Sequence, residues 1–183
     1  MSSVTSVYMD ACCFIEAVKC EASIQIVDSR KNEVWYIKKL LQAHRDREIT
    51  VFTSTLSIAE CTHIGETPVP PEVQQRFEAL LTSGQYVHLV QTTPFICIDA
   101  RNLRWVDHLL LKGADSVHLA SALDRGCGEF LTLDGGFARV SKHADALRAK
   151  GILVRVPSDT DALPGRYYQM DLRYGKDDEQ AAE

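Results

Sequence analysis

The sequence predicts an α/β fold with a mainly parallel five-stranded sheet and helices on both faces. Short β-branched and aromatic runs, typical of buried strands, alternate along the chain with segments of helical periodicity. Consecutive parallel strands need long crossover connections, and the helical segments lie where such connections are required. At 183 residues with 45% hydrophobic content, the chain is long enough for one well-buried core.

The first half of the chain contains three predicted strands, which are "TSVYMD", ending at Asp10, "ITVFTS" and "YVHLVQ". A helical pattern through "ACCFIEAVKCEA" follows the first strand, and a second helix, "SRKNEVWYIKKLLQAHRD", has Ser29 as its predicted N-cap. After the second strand, "TLSIAECTHIG" is predicted as a helix closed by Gly65. Pro71 suits the first turn of a helix through "EVQQRFEALLTSG".

The second half continues the alternation. Asp99 is the predicted N-cap of a helix through "DARNLRWVDHLLLKG", and Gly113 is its predicted stop. The helix "ADSVHLASALDRG", the strand "EFLTLD", the helix "FARVSKHADALRAKG" and the strand "ILVRV" follow in that order. We predict one domain over residues 1–157 and a C-terminal extension over residues 158–183 that ends in a disordered acidic tail.

Composition narrows the class of protein. No run approaches the length of a membrane span, and the first residues, "MSSVTSVYMD", lack the layout of a secretion signal, so we expect a cytoplasmic protein without a membrane partner. The six cysteines form no C-x-x-C pair and are predicted to be reduced. The net charge of −5 does not exclude an RNA partner, because without the tail "KDDEQAAE" and with four acids bound to cations, 19 basic residues stand against 17 acidic ones.

Four acidic residues lie where an α/β sheet collects its ligands, at the carboxyl ends of strands or near the start of a helix. They are Asp10, Glu60, Asp115 and Asp134. Carboxylates that converge in a cleft repel one another, and hard oxygen ligands select Mg²⁺ or Mn²⁺ as the counter-charge. The set therefore predicts a divalent-metal site.

Each acid also has a purely structural interpretation. Asp10 can terminate a strand, and Glu60 fits the last position of a capping box. Asp115 favours a helix amino terminus through the helix dipole, and Asp134 begins an Asp-Gly turn. His118, one turn beyond Asp115, is predicted to be packed or partly exposed rather than catalytic.

Four segments, "VYMDACCFI", "TSTLSIAE", "ADSVHLASAL" and "FLTLDGGF", resemble in order the acidic motifs of PIN domains, and of VapC-like toxin ribonucleases in particular. The similarity spans roughly residues 4 to 156. The third and fourth segments are specific in layout, with an acid followed by His-Leu-Ala and then Thr-x-Asp-x-x-Phe. In the family a polar residue, frequently asparagine or serine, stands two places after the first aspartate, where this chain has Cys12.

The resemblance implies a three-layer α/β/α domain, often homodimeric, that cleaves single-stranded RNA with Mg²⁺ or Mn²⁺. It also implies a cognate antitoxin that occludes the site. Motif by motif, metal binding and catalysis fall to Asp10, Glu60, Asp115 and Asp134, with Thr132 supporting the geometry. The sequence thus predicts a metal-dependent endoribonuclease, a VapC-like toxin of a type II toxin-antitoxin system.

Two alternatives stay open at this point. The first is a catalytically inactive PIN-like scaffold that binds RNA or a protein. The second is an aspartate-based phosphotransfer protein, since such proteins also place an aspartate and Mg²⁺ at a strand end. Phosphatases of that kind have a second acid two residues after the first, and Cys12 occupies that position.

Overall fold

The computed structural model describes residues 4–22, 24, 27–65, 68–135 and 144–168. Within these residues the chain forms one sheet of five strands, all of them parallel to their neighbours. The strands are β1 (Thr5–Met9), β2 (Ile49–Ser54), β3 (His88–Val90), β4 (Glu129–Leu131) and β5 (Leu153–Arg155). The predicted α/β class and the parallel sheet are confirmed.

Helices connect the strands in the order that the periodicity predicts. They are α1 (Ala11–Glu21), α2 (Asp28–Arg45), α3 (Leu56–Glu60), α4 (Pro71–Thr82), α5 (Pro94–Trp105), α6 (Gly113–Asp124) and α7 (Ala144–Ala149). No helix in the described part of the chain has both the length and the apolar character needed to cross a bilayer. All six cysteines are free thiols, as predicted.

The two faces of the sheet pack against different helices because side chains alternate along each strand. In β1, Val7 and Met9 belong to a core that also contains residues of α1, α2 and α4. Tyr8 points to the opposite face, into a core formed with α5, α6 and α7. The result is a three-layer α/β/α arrangement.

The strand order is β3-β2-β1-β4-β5, so β2 and β3 lie on one side of β1, and β4 and β5 lie on the other. The strand order therefore reverses direction at β1, which makes the gap between β1 and β4 a topological switch point. Ligands of open α/β sheets bind outside the carboxyl ends of strands at such a switch point. Asp10 follows β1 directly, and its amide donates a hydrogen bond to the Leu131 carbonyl at 2.9 Å. Asp134, predicted at the end of its strand, lies three residues beyond β4.

Two helix starts differ from prediction. The second helix begins at Asp28, so Ser29 lies inside it; an acid in the first turn is favoured by the helix dipole without a side-chain cap. The helix predicted to start at Asp99 begins five residues earlier, at Pro94. There the fixed backbone angle of proline suits a first turn, and the Thr93 hydroxyl caps it.

Two predicted helix ends are also wrong. The helix after β2 ends at Glu60 rather than at Gly65, because Cys61 has already left the helical region of backbone angles. Gly113 does not stop α5, which ends at Trp105, but opens α6. An irregular segment of seven residues, 106–112, therefore separates two helices that local sequence signals place end to end.

The chain after β5 packs onto the domain as far as it is described. Leu163 and Tyr167 are buried in the same core as α1 and α2. The Tyr167 hydroxyl donates a hydrogen bond to Asp46 at 2.7 Å, and the Ser158 hydroxyl donates one to Glu33. The predicted boundary at residue 157 stays a prediction. Residues 136–143, which include the predicted start of the helix "FARVSKHADALRAKG", and residues 169–183, which contain the predicted acidic tail, lie outside the described residues.

Candidate metal centre

Asp10 is held in one orientation at the junction of β1 and α1. It is 7% exposed, and its Oδ1 accepts a hydrogen bond from the amide of Ala11 at 2.8 Å. Its Oδ2 accepts from the Thr132 hydroxyl at 2.8 Å and from the Cys12 thiol at 3.1 Å. Three donors, two at the start of α1 and one in the segment after β4, therefore fix this carboxylate at the carboxyl edge of the sheet.

Glu60 reaches the same place from the end of α3. Its Oε2 lies 2.6 Å from Nε2 of His118, which is 1% exposed on α6. The same Nε2 lies 3.9 Å from Asp10 Oδ1, and the other ring nitrogen, Nδ1, lies 2.7 Å from the Tyr8 hydroxyl. One ligand atom from each of Asp10, Glu60 and His118 lies within 4.8 Å of the other two. Two predicted acids thus converge, and a histidine joins them.

Asp115 and Asp134 are electrostatically coupled to each other, and Asp115 is also coupled to Asp10. Asp115 is half-buried in the first turn of α6, and Asp134 is exposed in the loop after β4. Burial raises the pKa of Asp115, and the carboxylates of Asp10 and Asp134 raise it further, whereas Lys112 opposes the shift. Like charges from two other chain segments are therefore close enough to disfavour ionisation of Asp115.

Thr132 and Cys12 connect the start of α1 to the segment after β4. Besides donating to Asp10, the Thr132 hydroxyl accepts a hydrogen bond from the amide of Asp134 at 3.1 Å. The Cys12 sulfur accepts from the amide of Leu133 at 3.1 Å while its thiol donates to Asp10. Cys12, which stands two places after Asp10, therefore donates one hydrogen bond and accepts another.

The donor chemistry fits a small divalent cation. Carboxylate oxygens suit Mg²⁺ and Mn²⁺, and ligands on opposite sides of one Mg²⁺ lie about 4.2 Å apart, twice the usual bond length. One carboxylate oxygen of Asp10 and one of Glu60 lie within 4.8 Å of each other, which is close to that separation. Burial is the main cause of the raised pKa of Asp115, and the neighbouring carboxylates of Asp10 and Asp134 add a contribution that a bound cation would offset.

A family model for the PIN domain matches residues 7–143, a range that contains all four predicted acids. The chain belongs to the PIN domain family. PIN domains are generally nucleases that act on nucleic acids and use divalent metal ions. The comparison with curated proteins gives no match.

Sequence reasoning underrated His118. Of the two structural possibilities, packed and partly exposed, the structure shows the first, and the ring nitrogens contact the Tyr8 hydroxyl and the Glu60 carboxylate. The available signal was positional: residues three apart share a helix face, so His118 and Asp115 point from α6 towards the same edge of the sheet. The assignment of Asp10, Glu60, Asp115 and Asp134 as ligands stays a prediction.

Proposed function

We propose that the protein is an Mg²⁺- or Mn²⁺-dependent endoribonuclease that hydrolyses phosphodiester bonds of single-stranded RNA, and that it acts as a VapC-like toxin. The main support is the convergence of Asp10 and Glu60 at the switch point of a PIN-family sheet. The two residues are 50 positions apart, and a structural interpretation of either one does not require them to meet.

Asp10, Glu60, Asp115 and Asp134 would hold the cation. When bound, a divalent ion supplies Lewis acidity that activates a water molecule and neutralises charge on the phosphate. The chain contributes preorganisation, because Asp10 is already fixed by three hydrogen-bond donors. Its orientation therefore does not have to be established when substrate binds.

Arginines near the acids support a polyanionic substrate. A cavity of about 580 Å³ next to Asp134 is lined by Arg30, Arg148 and Arg155 among others. Arg30 donates to the Leu133 carbonyl at 2.9 Å, which places its guanidinium beside the β4 loop. Arginine is well suited to phosphate because its planar group donates two parallel hydrogen bonds.

A homodimer is part of the proposal, with α5 as its interface. This helix and the segment after it expose five large apolar side chains: Phe95, Ile98, Trp105, Val106 and Leu110. At ordinary side-chain sizes they present about 700 Å² of accessible area in total, which is close to the ~800 Å² per partner of a standard interface. A second copy paired about a twofold axis would cover this patch on both chains.

Light scattering coupled to size-exclusion chromatography tests the homodimer. Trp105→Glu places a charge in the patch and should convert the dimer to a monomer. Val27→Glu is the matched control, because Val27 is 70% exposed but lies away from α5. A wild-type monomer at micromolar concentration, or a Trp105→Glu dimer, would contradict the α5 interface.

A cognate antitoxin that covers the acidic site is the remaining partner of the proposed toxin. Its support is the likeness of the four motif segments to VapC-like toxins. Co-expression of the chain with the product of an adjacent short reading frame should give a stable complex with reduced nuclease activity. A complex that leaves cleavage unaffected would contradict occlusion of the site.

Cleavage of a fluorescently labelled single-stranded RNA with Mn²⁺ or Mg²⁺, and with chelator, tests the proposed activity. Asp10→Asn and Asp115→Asn should abolish cleavage and keep the folded circular dichroism spectrum. Asp28→Asn, the same change at an exposed residue in the first turn of α2, should cleave as the wild type does.

Three outcomes would reject the assignment in different ways. Retained cleavage by Asp115→Asn would remove this residue from the site. RNA binding without cleavage by the wild type would favour an inactive scaffold. A covalent aspartyl phosphate formed with acetyl phosphate would favour a phosphotransfer protein.

A further inference from the structure

His118 is a fully enclosed side chain whose two ring nitrogens both contact groups of the candidate site. It is 1% exposed, with Nδ1 at 2.7 Å from the Tyr8 hydroxyl and Nε2 at 2.6 Å from Glu60 Oε2. A neutral imidazole has one donor and one acceptor nitrogen, so the tautomer decides which way each bond runs. The acidic motifs assign no function to this residue.

The groups that contact the two ring nitrogens, the Tyr8 hydroxyl and the Glu60 carboxylate, determine that tautomer. Burial raises the pKa of the Tyr8 hydroxyl, so the phenol keeps its proton. An ionised carboxylate accepts hydrogen bonds and cannot donate them, so Nε2, which lies 2.6 Å from Glu60 Oε2, has to be the donor of that bond. The phenolic proton is then available for His118 Nδ1, and the imidazole proton lies on Nε2, facing Glu60.

The Glu60 carboxylate needs such a donor because the short helix α3 does little to fix its orientation. It is the last residue of α3, a helix of only five residues, and Cys61 leaves the helical conformation immediately after it. Its side chain is 32% exposed. Among the described residues, His118 is the side chain found hydrogen-bonded to its carboxylate.

We propose that His118 is a positioning residue, which donates from Nε2 to Glu60 and is locked in that tautomer by Tyr8, so that the Glu60 carboxylate faces Asp10 ready for a divalent cation. In its role at the metal site, this inference rests on the proposed function. His118 is accordingly not a metal ligand, because the lone pair of a protonated Nε2 is not free. The buried chain Tyr8–His118–Glu60 links the α6 face of the sheet to the cation site.

The proton positions are measured directly on the metal-free protein by long-range ¹H–¹⁵N NMR of the histidine rings. We expect His118 to carry its proton on Nε2 and to have a bare Nδ1. In Tyr8→Phe, which removes only the hydroxyl, the signal should show a mixture of the two tautomers. A proton on Nδ1 in the wild type would overturn the proposal, because Tyr8 would then not be the donor.

Mn²⁺ affinity, measured by calorimetry, tests the consequence for the site. His118→Leu should weaken binding by about 10–100-fold, the usual effect of removing a residue that orients a ligand. His118→Gln, whose amide can donate to Glu60, should recover most of the affinity. His44→Leu is the matched control: His44 is also buried and hydrogen-bonded, to the amide of Val51, but lies on α2 away from the acids.

If His118→Leu is poorly folded, Tyr8→Phe replaces it, with an expected severalfold loss of affinity. Wild-type affinity in His118→Leu, or in a folded Tyr8→Phe that has lost the Nε2–H tautomer, overturns the positioning role. Loss of binding in both His118→Leu and His118→Gln overturns it in another way, by indicating a direct ligand. Mn²⁺ binding with the expected variant order but without RNA cleavage would leave the positioning role intact and reject the nuclease.

Discussion

Replacement of Asp115 by asparagine should stabilise the metal-free protein while destroying its response to Mn²⁺. The change keeps the size of the side chain and removes one negative charge from a site where burial and the carboxylates of Asp10 and Asp134 already disfavour ionisation. A residue that serves only as a helix-start acid would have the opposite effect, since its loss weakens the helix.

The size of the effect follows from opposing electrostatic contributions. Two carboxylates about 5 Å apart repel by roughly 1 kcal/mol in water and roughly 3 kcal/mol at an effective dielectric of 20. Asp115 is half-buried, and the α6 dipole and Lys112 favour its charge, the dipole by about 0.3–1 kcal/mol. We expect a net gain of about 1 kcal/mol, which raises Tm by about 2–4 °C in a domain of this size.

Differential scanning fluorimetry with chelator and with excess Mn²⁺ measures both parts of the prediction. At 100 times its Kd, Mn²⁺ should stabilise the wild type by about 2.7 kcal/mol, and it should stabilise Asp115→Asn much less. Asp28→Asn, also in a first turn but 91% exposed in its side chain, should be unchanged or slightly less stable without metal and should keep the full Mn²⁺ response.

The pH dependence of Tm tests whether Asp115→Asn raises stability for the stated reason. Because the pKa of Asp115 is raised in the folded protein, the folded state binds this proton more tightly than the unfolded chain does. The loss of folding stability caused by ionised Asp115 is absent at pH values below the ordinary carboxyl pKa. It appears as pH rises through the raised pKa of Asp115 in the folded protein. The Tm advantage of Asp115→Asn should therefore be largest at neutral pH and shrink on acidification. A lower Tm for metal-free Asp115→Asn at pH 7 would refute the reasoning.

Three further substitutions test the rest of the structure. Thr132→Val removes the donor to Asp10 and should weaken Mn²⁺ binding in calorimetry; unchanged affinity would contradict its role in orienting that carboxylate. Cys12→Ser keeps a donor and an acceptor and should bind Mn²⁺ nearly as the wild type does, so a loss of about tenfold, 1.4 kcal/mol, would show that the thiol itself matters. Tyr167→Ala removes a fully buried ring and should cost about 3–5 kcal/mol in urea denaturation, whereas a loss below about 1 kcal/mol would contradict docking of the segment after β5.

The strands and most of the helices follow from local pattern, because burial of alternate residues in a strand, or of one helix face, leaves a periodic record in the sequence. Helix ends leave a weaker record. Asp99 has the chemistry of an N-cap but lies inside α5, because Thr93 and Pro94 together make a better start. Gly113 has the chemistry of a stop but opens α6.

The candidate acids were predicted from the sequence because strand ends and helix starts are recognisable one at a time. Their energetics were not, since these depend on long-range neighbours. His118 lies 110 residues from Tyr8 and 58 from Glu60, and neither separation leaves a local signal. The direction of the Asp115 pKa shift likewise depends on Asp10 and on burial, which only the folded chain brings together.

The most direct test of the metal centre is an anomalous difference map from crystals of the protein soaked in Mn²⁺. We expect a peak within bonding distance of Asp10 and of at least one more of the acids Glu60, Asp115 and Asp134, with His118 Nε2 outside bonding distance. The peak should be absent from Asp10→Asn crystals. Saturating Mn²⁺ that gives no peak at these carboxylates, or a peak only at an unrelated surface acid, would contradict a shared cation site at the carboxyl edge of the sheet.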